Sequence, residues 1–249
     1  MDDNEITLDR LWDSTPPADK SFNPRNYTRL PEPVQRYLSH SIAPVAPLAA
    51  SVRLKMHGEI KLNRWLSFQA EQVIRWDRGM IWKAAVKMAG LPVRGFDRVI
   101  NGRGRMKWKF LGLFPIVNEE GPDISRSSKG RMAAEAAWLP SVFTRPEIKW
   151  NALDSSRSQA EFDLFGEKVE PLLTIAPDGR LESIQLKRWG NPENGEFRYQ
   201  NFGGLAEAER TFSGYTIPTS LRIGWYFDSE RFESEGEFFR VFVDEARFF

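Results

Sequence analysis

A chain of 249 residues suits one large β domain or two small ones, and it is long enough to bury a core without staples. It contains no cysteine, which excludes disulfides, thiolate metal sites and cysteine nucleophiles, and a net charge of +1 gives no global field of the kind that draws nucleic acid. Its 18 Phe and 9 Trp are good material for a core or an apolar cavity.

Residues 1–30 read as an N-terminal arm and linker, and residues 31–249 as a single domain. In the arm, "NEITLDRLWD" predicts a short helix with Ile6, Leu8, Leu11 and Trp12 as its apolar residues. "STPPADKSFNPRN" is Pro/Ser-rich linker. The acidic start "MDDNEITLDRLW" is unlike a signal peptide, and no stretch approaches the ~20 apolar residues of a membrane span. The sequence as given therefore predicts a cytoplasmic protein with no transmembrane segment. "LPEPVQRYLSHSI" predicts a second helix, with Pro33 in its first turn and Val34, Tyr37, Leu38 and Ile42 at helical spacing.

From about residue 50 the period becomes two. "RWLSFQAEQVIRW" puts Leu66, Phe68, Ala70, Ile74 and Trp76 on one face; "RMKWKF" sets Met106, Trp108 and Phe110 against Arg105, Lys107 and Lys109. "AEFDLF" and "LRIGWYF" alternate likewise. Turns are predicted at Asp77-Arg78-Gly79, Asn101-Gly102, Phe165-Gly166, Asp178-Gly179, Asn194-Gly195 and Ser213-Gly214. The fold class is mainly β: about ten antiparallel strands, too many for one flat sheet, which must curl, close into a barrel or split. In "FFRVFVDEARFF" both faces carry large apolar residues, which predicts a central strand or one bordering a cavity.

Charge is unevenly spread. Residues 51–110 hold fourteen Lys/Arg and four Asp/Glu, whereas residues 225–249 hold three and seven. Solvated outer strand faces explain this; the alternative is an anionic surface, lipid or protein, contacting residues 51–110.

"KGRMAAEAAWLPSVF" interrupts the strands with a helix predicted over residues 127–142, a lid or plug across the hollow side of the sheet. Met132, Ala136, Leu139 and Phe143 form its apolar stripe; Arg131, Glu135 and Trp138 form a neighbouring one, and Pro140 forces an end or a kink. Arg131 and Glu135 are expected as an exposed helical pair, the alternative being a pair turned into the concavity to fix a ligand's polar end.

Catalytic motifs are sparse. The two histidines, His40 and His57, lie outside any HExxH, no G-x-S-x-G elbow exists, and Gly102-x-Gly104 lacks the third glycine of a phosphate loop. The pattern implies no cofactor, no metal and no nucleic-acid partner.

The motifs "LPEPVQRYL", "WLSFQAEQV", "FDRVINGRGRMKWKFLGLFPI", "GRMAAEAAWLPSVF" and "YTIPTSLRIGW" together resemble a widespread bacterial family known only as a domain of unknown function. The resemblance spans about residues 30–245 and implies no characterised activity. Some members carry a membrane span before the domain, which this sequence lacks. The strand–helix–strand order is similar to lipoprotein carriers of the LolA/LolB type, which implies an incomplete barrel whose helices close an apolar cavity.

The expected function is non-enzymatic binding of an apolar or amphipathic ligand, with lipid as one candidate. Trp108, Phe110, Met132, Ala136 and Trp225 would line the concavity, with Arg131 and Glu135 at the polar end and Trp138 also among the ligand-binding residues. The alternatives are a hydrolase-like enzyme using Glu135, Asp97 and Arg131, or a structural module with a filled core.

Overall fold

The structure, a computed structural model, describes residues 6–193 and 195–249; the Asn194 half of the Asn194-Gly195 turn and the first residues of the predicted arm helix lie outside them. Fourteen strands form one antiparallel sheet. Six come before the central helix: β1 (Ser51–Lys61), β2 (Trp65–Arg75), β3 (Gly79–Met88), β4 (Leu91–Ile100), β5 (Arg103–Phe110) and β6 (Phe114–Glu120). Eight follow it: β7 (Lys149–Ala152), β8 (Arg157–Leu164), β9 (Glu167–Val169), β10 (Leu172–Ile175), β11 (Leu181–Gly190), β12 (Arg198–Phe212), β13 (Tyr215–Trp225) and β14 (Glu237–Phe248). The order is β6-β5-β4-β3-β2-β1-β14-β13-β12-β11-β10-β8-β7, with β9 on β8. Two meanders thus join where β1 pairs with β14, and β6 and β7 are the two edges.

The sheet does not close, but it curls strongly. Trp76, just past β2, meets Phe162 of β8 edge to face at 5.6 Å, although six strands separate β2 from β8 in the ladder. The alternating faces of the sequence are the cause: Leu66, Phe68, Ile74, Ala160, Phe162 and Leu164 are all buried on the hollow side. Turn chemistry agrees where it was visible. Asn101-Gly102, Phe165-Gly166 and Ser213-Gly214 all adopt the paired positive φ of tight hairpins. Ala89-Gly90 and Leu111-Gly112 do the same; neither carries Asn or Asp, and the sequence reading passed over both.

β14 is central, between β1 and β13. It is not apolar-buried on both faces, however. Phe239, Val241 and Val243 are buried, whereas Phe242 is 45% exposed and stacks on His57 at 5.4 Å on the outer side.

Helix α1 (Leu8–Asp13) lies on the outer face, where Ile6, Leu8 and Leu11 pack on Val73, Ile81 and Ile100. Thr7 caps it by accepting from the Arg10 amide at 3.2 Å. Helix α2 (Glu32–Ser41) presents buried Val34, Tyr37 and Leu38 to the core, as its spacing predicts.

The central helix differs from the expected 127–142 segment. Helix α3 spans Pro122–Ala134, and the chain continues as two 3₁₀ turns, Glu135–Trp138 and Pro140–Thr144. Pro122 sits in the first turn behind Gly121, whose φ of 125° only glycine takes readily. The polar stretch "PDISRSS" carries no apolar period, so the start was invisible. Pro140 has no amide to donate, and Leu139 leaves helical geometry just before it. Ala133, Ala136 and Ala137 are buried, which lets this backbone approach the strands closely.

Candidate functional site

α3 connects the two edges, running from β6 to β7 across the hollow. It is tied to both halves. On the β5 side, the Gly104 amide donates to Ser125 Oγ at 2.9 Å, and a Cβ at Gly104 would stand 2.7 Å from Ile124 O. On the β11 side, Arg188 donates to Ser127 O at 3.1 Å and Ser127 Oγ at 3.2 Å, and the Trp189 indole donates to Asp123 at 2.8 Å.

Between α3 and the sheet lies a cavity of about 320 Å³, at the lower end of the ~300–1,000 Å³ of small-molecule sites. Its apolar walls include Met80, Trp82, Ile184, Phe202, Ile223 and Phe239. Gly204 of β12 leaves room on the cavity side, where an added Cβ would come within 3.1 Å of Ile223, whereas a Cβ at Gly203 would face Phe227 instead. Ile60, Lys61 and Leu62 bring it to the β1–β2 turn.

Three of the ionisable groups in the wall form one network. Arg131 donates to Glu135 at 2.7 Å and to Asp97 at 3.0 Å. The Trp108 indole donates to the other Asp97 oxygen at 2.8 Å, and Gln72 to the other Glu135 oxygen at 2.6 Å. Each of the four carboxylate oxygens therefore accepts a bond. Arg131 also lies 5.1 Å from the centre of the Trp82 ring. Burial works against the Arg131 charge, but Glu135 and Asp97 outweigh it and raise its pKa. The pair is thus turned inward rather than exposed, because α3 faces the hollow and Asp97 and Gln72 project from β4 and β2 on that face.

Arg188 is different. It lines the cavity, bonds only Ser127 among the described residues, and lies 4.5 Å from the Phe202 ring and 4.9 Å from the Trp225 ring. Burial pulls its pKa down to about 9, and Arg131 pulls the same way against Glu135 and Asp97. A guanidinium is so strong a base that it stays charged even so. No described carboxylate pairs with it, so the wall carries three cations, Lys61, Arg131 and Arg188, against Asp97 and Glu135.

Of the expected site residues, Arg131, Glu135, Trp138 and Trp225 line the cavity. Trp108 and Phe110 do not: Trp108 lies over Gly95, where its indole holds Asp97 from behind, and Phe110 sits at the end of β5. Met132 and Ala136 are fully buried in the main core, each one position along from a cavity residue and so turned about 100° away. Sequence reasoning missed Gln72, Trp82 and Arg188. A signal existed for two of them. Gln72 interrupts the apolar face Phe68–Ala70–Ile74, and Arg188 continues the face of Ile184 and Leu186 with a cation.

His40 bonds Glu209 at 2.8 Å and His57 bonds Asp244 at 2.9 Å; neither lines the cavity. Among the described residues, no helix is long and apolar enough to cross a membrane.

Residues 28–248 match the model of a family of unknown function, DUF6920, and the chain belongs to that family. No curated protein matches it. Among solved structures, it is similar to a LolA superfamily protein of Nitrosomonas europaea, with 9% identity and a TM-score of 0.47 over 87% of this chain and 92% of that one. It is also similar to a domain of Vibrio parahaemolyticus provisionally assigned to outer membrane lipoprotein sorting, with 11% identity and a TM-score of 0.39 over 80% and 85%.

Proposed function

We propose that the protein binds one apolar or amphipathic molecule, of the acyl-chain or lipid class, in the cavity between α3 and the sheet, without chemical conversion. The observation that carries this reading is the cavity itself: about 320 Å³ of apolar-walled space in an otherwise packed interior. A structural module with a filled core would have no such space. The Asp97–Arg131–Glu135 network supports binding over catalysis. Its four carboxylate oxygens each already accept a bond from Arg131, Trp108 or Gln72, an arrangement that suits a brace between helix and sheet better than a general base. Arg188 is the group left to meet a ligand's polar or anionic end, in place of the Arg131–Glu135 pair that the sequence suggested.

The test has two arms. Protein purified without detergent is extracted and its lipids are identified by mass spectrometry, and delipidated protein is titrated with dansyl-undecanoic acid. Saturable one-to-one binding, quenching of Trp82, Trp138 and Trp225 fluorescence, and a loss of about tenfold or more in Ala137→Leu, which narrows the cavity, are expected. Absence of both co-purified lipid and saturable binding would overturn the reading.

A further inference from the structure

The β1–β2, β3–β4 and β5–β6 turns lie side by side at one end of the sheet, as the meander requires. Soluble proteins seldom leave large apolar side chains in water as a cluster. Of the eleven exposed large apolar side chains among the described residues, six are on these three turns and the start of β6: Leu62, Leu91, Leu111, Leu113, Phe114 and Ile116. Leu113 is 72% exposed and Phe114 61%. The β5–β6 turn, Leu111-Gly112-Leu113, extends beyond the ladder with positive φ at Leu111 and Gly112, and nothing among the described residues covers it.

Charge accompanies these residues. Segments 61–64, 87–94 and 107–118 contain Lys61, Arg64, Lys87, Arg94, Lys107 and Lys109 and no Asp or Glu. None of the six is in an ion pair with a described carboxylate. Arg94 and Lys109 are direct cross-strand partners, an arrangement of like charges that costs stability in water and is relieved by an external anion. One strand pair inward the sheet shows the ordinary arrangement, with Lys83 opposite Glu71. Across the β1–β14 seam the sign reverses. The neighbouring β13–β14 connection carries Asp228, Glu230, Glu233 and Glu235 against Arg231.

We propose that the β1–β6 end of the sheet docks on an anionic phospholipid bilayer. Leu113, Phe114 and Leu111 enter the interface while the six cations sit at the headgroups. Apolar tips beside unpaired cations are what such an interface rewards on both counts. The acidic β13–β14 connection is repelled, which tilts the molecule so that the basic half faces the lipid. Lys61 and Leu62 belong both to this end and to the cavity wall, so docking sets the cavity beside the bilayer.

The full chain is co-sedimented with vesicles of phosphatidylcholine alone and of phosphatidylcholine mixed with phosphatidylglycerol. Binding to the anionic vesicles, weakened by salt, is expected. The double variant Leu113→Ser, Phe114→Ser should weaken it about tenfold or more, and Lys107→Gln, Lys109→Gln by about tenfold. The two variants change different chemistry, at the exposed Leu113 and Phe114 and at the half-buried Lys107 and Lys109, and their thermal melting should match the parent. Dansyl-undecanoic acid binding should also be unchanged in both, which separates this surface from the cavity. No binding to anionic vesicles, or binding that both variants retain, overturns the proposal. So does self-association of the parent that Leu113→Ser, Phe114→Ser abolishes, since the end would then be an interface between two copies.

Discussion

Arg131 on α3 reaches Asp97 on β4 at 3.0 Å and so bonds the helix to the sheet inside the hollow. Asp97 is held by the Trp108 indole, and Glu135 by Gln72. A cation with two carboxylates in a mostly buried setting is costly to break on one side and cheap to replace as a whole. Arg131→Met leaves two carboxylates facing each other and should destabilise the protein by about 3 kcal/mol in urea denaturation. The triple variant Asp97→Asn, Arg131→Met, Glu135→Gln should recover most of that loss. If the single and triple variants are equally unstable, the network is not a coupled unit.

Arg188 predicts the opposite sign. Its pKa is about 9 in the fold, well below the ordinary guanidinium value, so folding disfavours its charged form. That cost is fully present below the folded pKa and fades as pH rises above about 9 toward the ordinary guanidinium value. Arg188→Met should therefore stabilise the protein by about 1–3 kcal/mol, with a gain flat between about pH 5 and 8. The same variant should bind dansyl-undecanoic acid more weakly than the parent does. A residue that costs stability while serving a ligand is the usual signature of a binding group. A destabilised variant, or one with undiminished binding, would contradict this role.

Glu237 governs the acid side. It is 2% exposed and accepts from Arg222 and from Arg240, each at 2.6 Å. Burial alone would raise its pKa, but these two partners outweigh it and hold the carboxyl below its ordinary 4.5. A depressed carboxyl adds stability that is present above the unfolded value and lost as pH falls through the folded one. Glu237→Gln should thus be less stable than the parent at neutral pH by about 1–2 kcal/mol. Urea midpoints taken at falling pH should converge as the pH drops from the ordinary carboxyl range through the lower folded value. A constant gap at all pH values would mean that packing, not charge, sets the difference.

Much of the sheet was legible because its signal is local. Alternation in "WLSFQAEQV" and "RMKWKF" fixed which side chains face inward, and three of the Gly-containing turns formed the predicted tight hairpins. The central helix was legible only where it is apolar. Its first turns, "PDISRSS", bond the sheet through Asp123, Ser125 and Ser127 rather than bury a stripe, so no period announces them. The site was half legible for a related reason. Arg131 and Glu135 stand out on a helix of alanines; Arg188 shows locally only as a cation on an inward face, and the rings of Phe202 and Trp225 that enclose it come from later strands. The Ala89-Gly90 and Leu111-Gly112 turns were missed because each sits inside an apolar run, which gives no polar break to mark it.

The link from β6 to β7 attaches the helix at both lips of the sheet, as a handle is fixed to opposite sides of a basket. Such a handle cannot swing aside from one hinge. A ligand of the proposed kind would therefore enter beneath it, and Leu62, in the cavity wall on the β1–β2 turn, stands at the basic end of that passage.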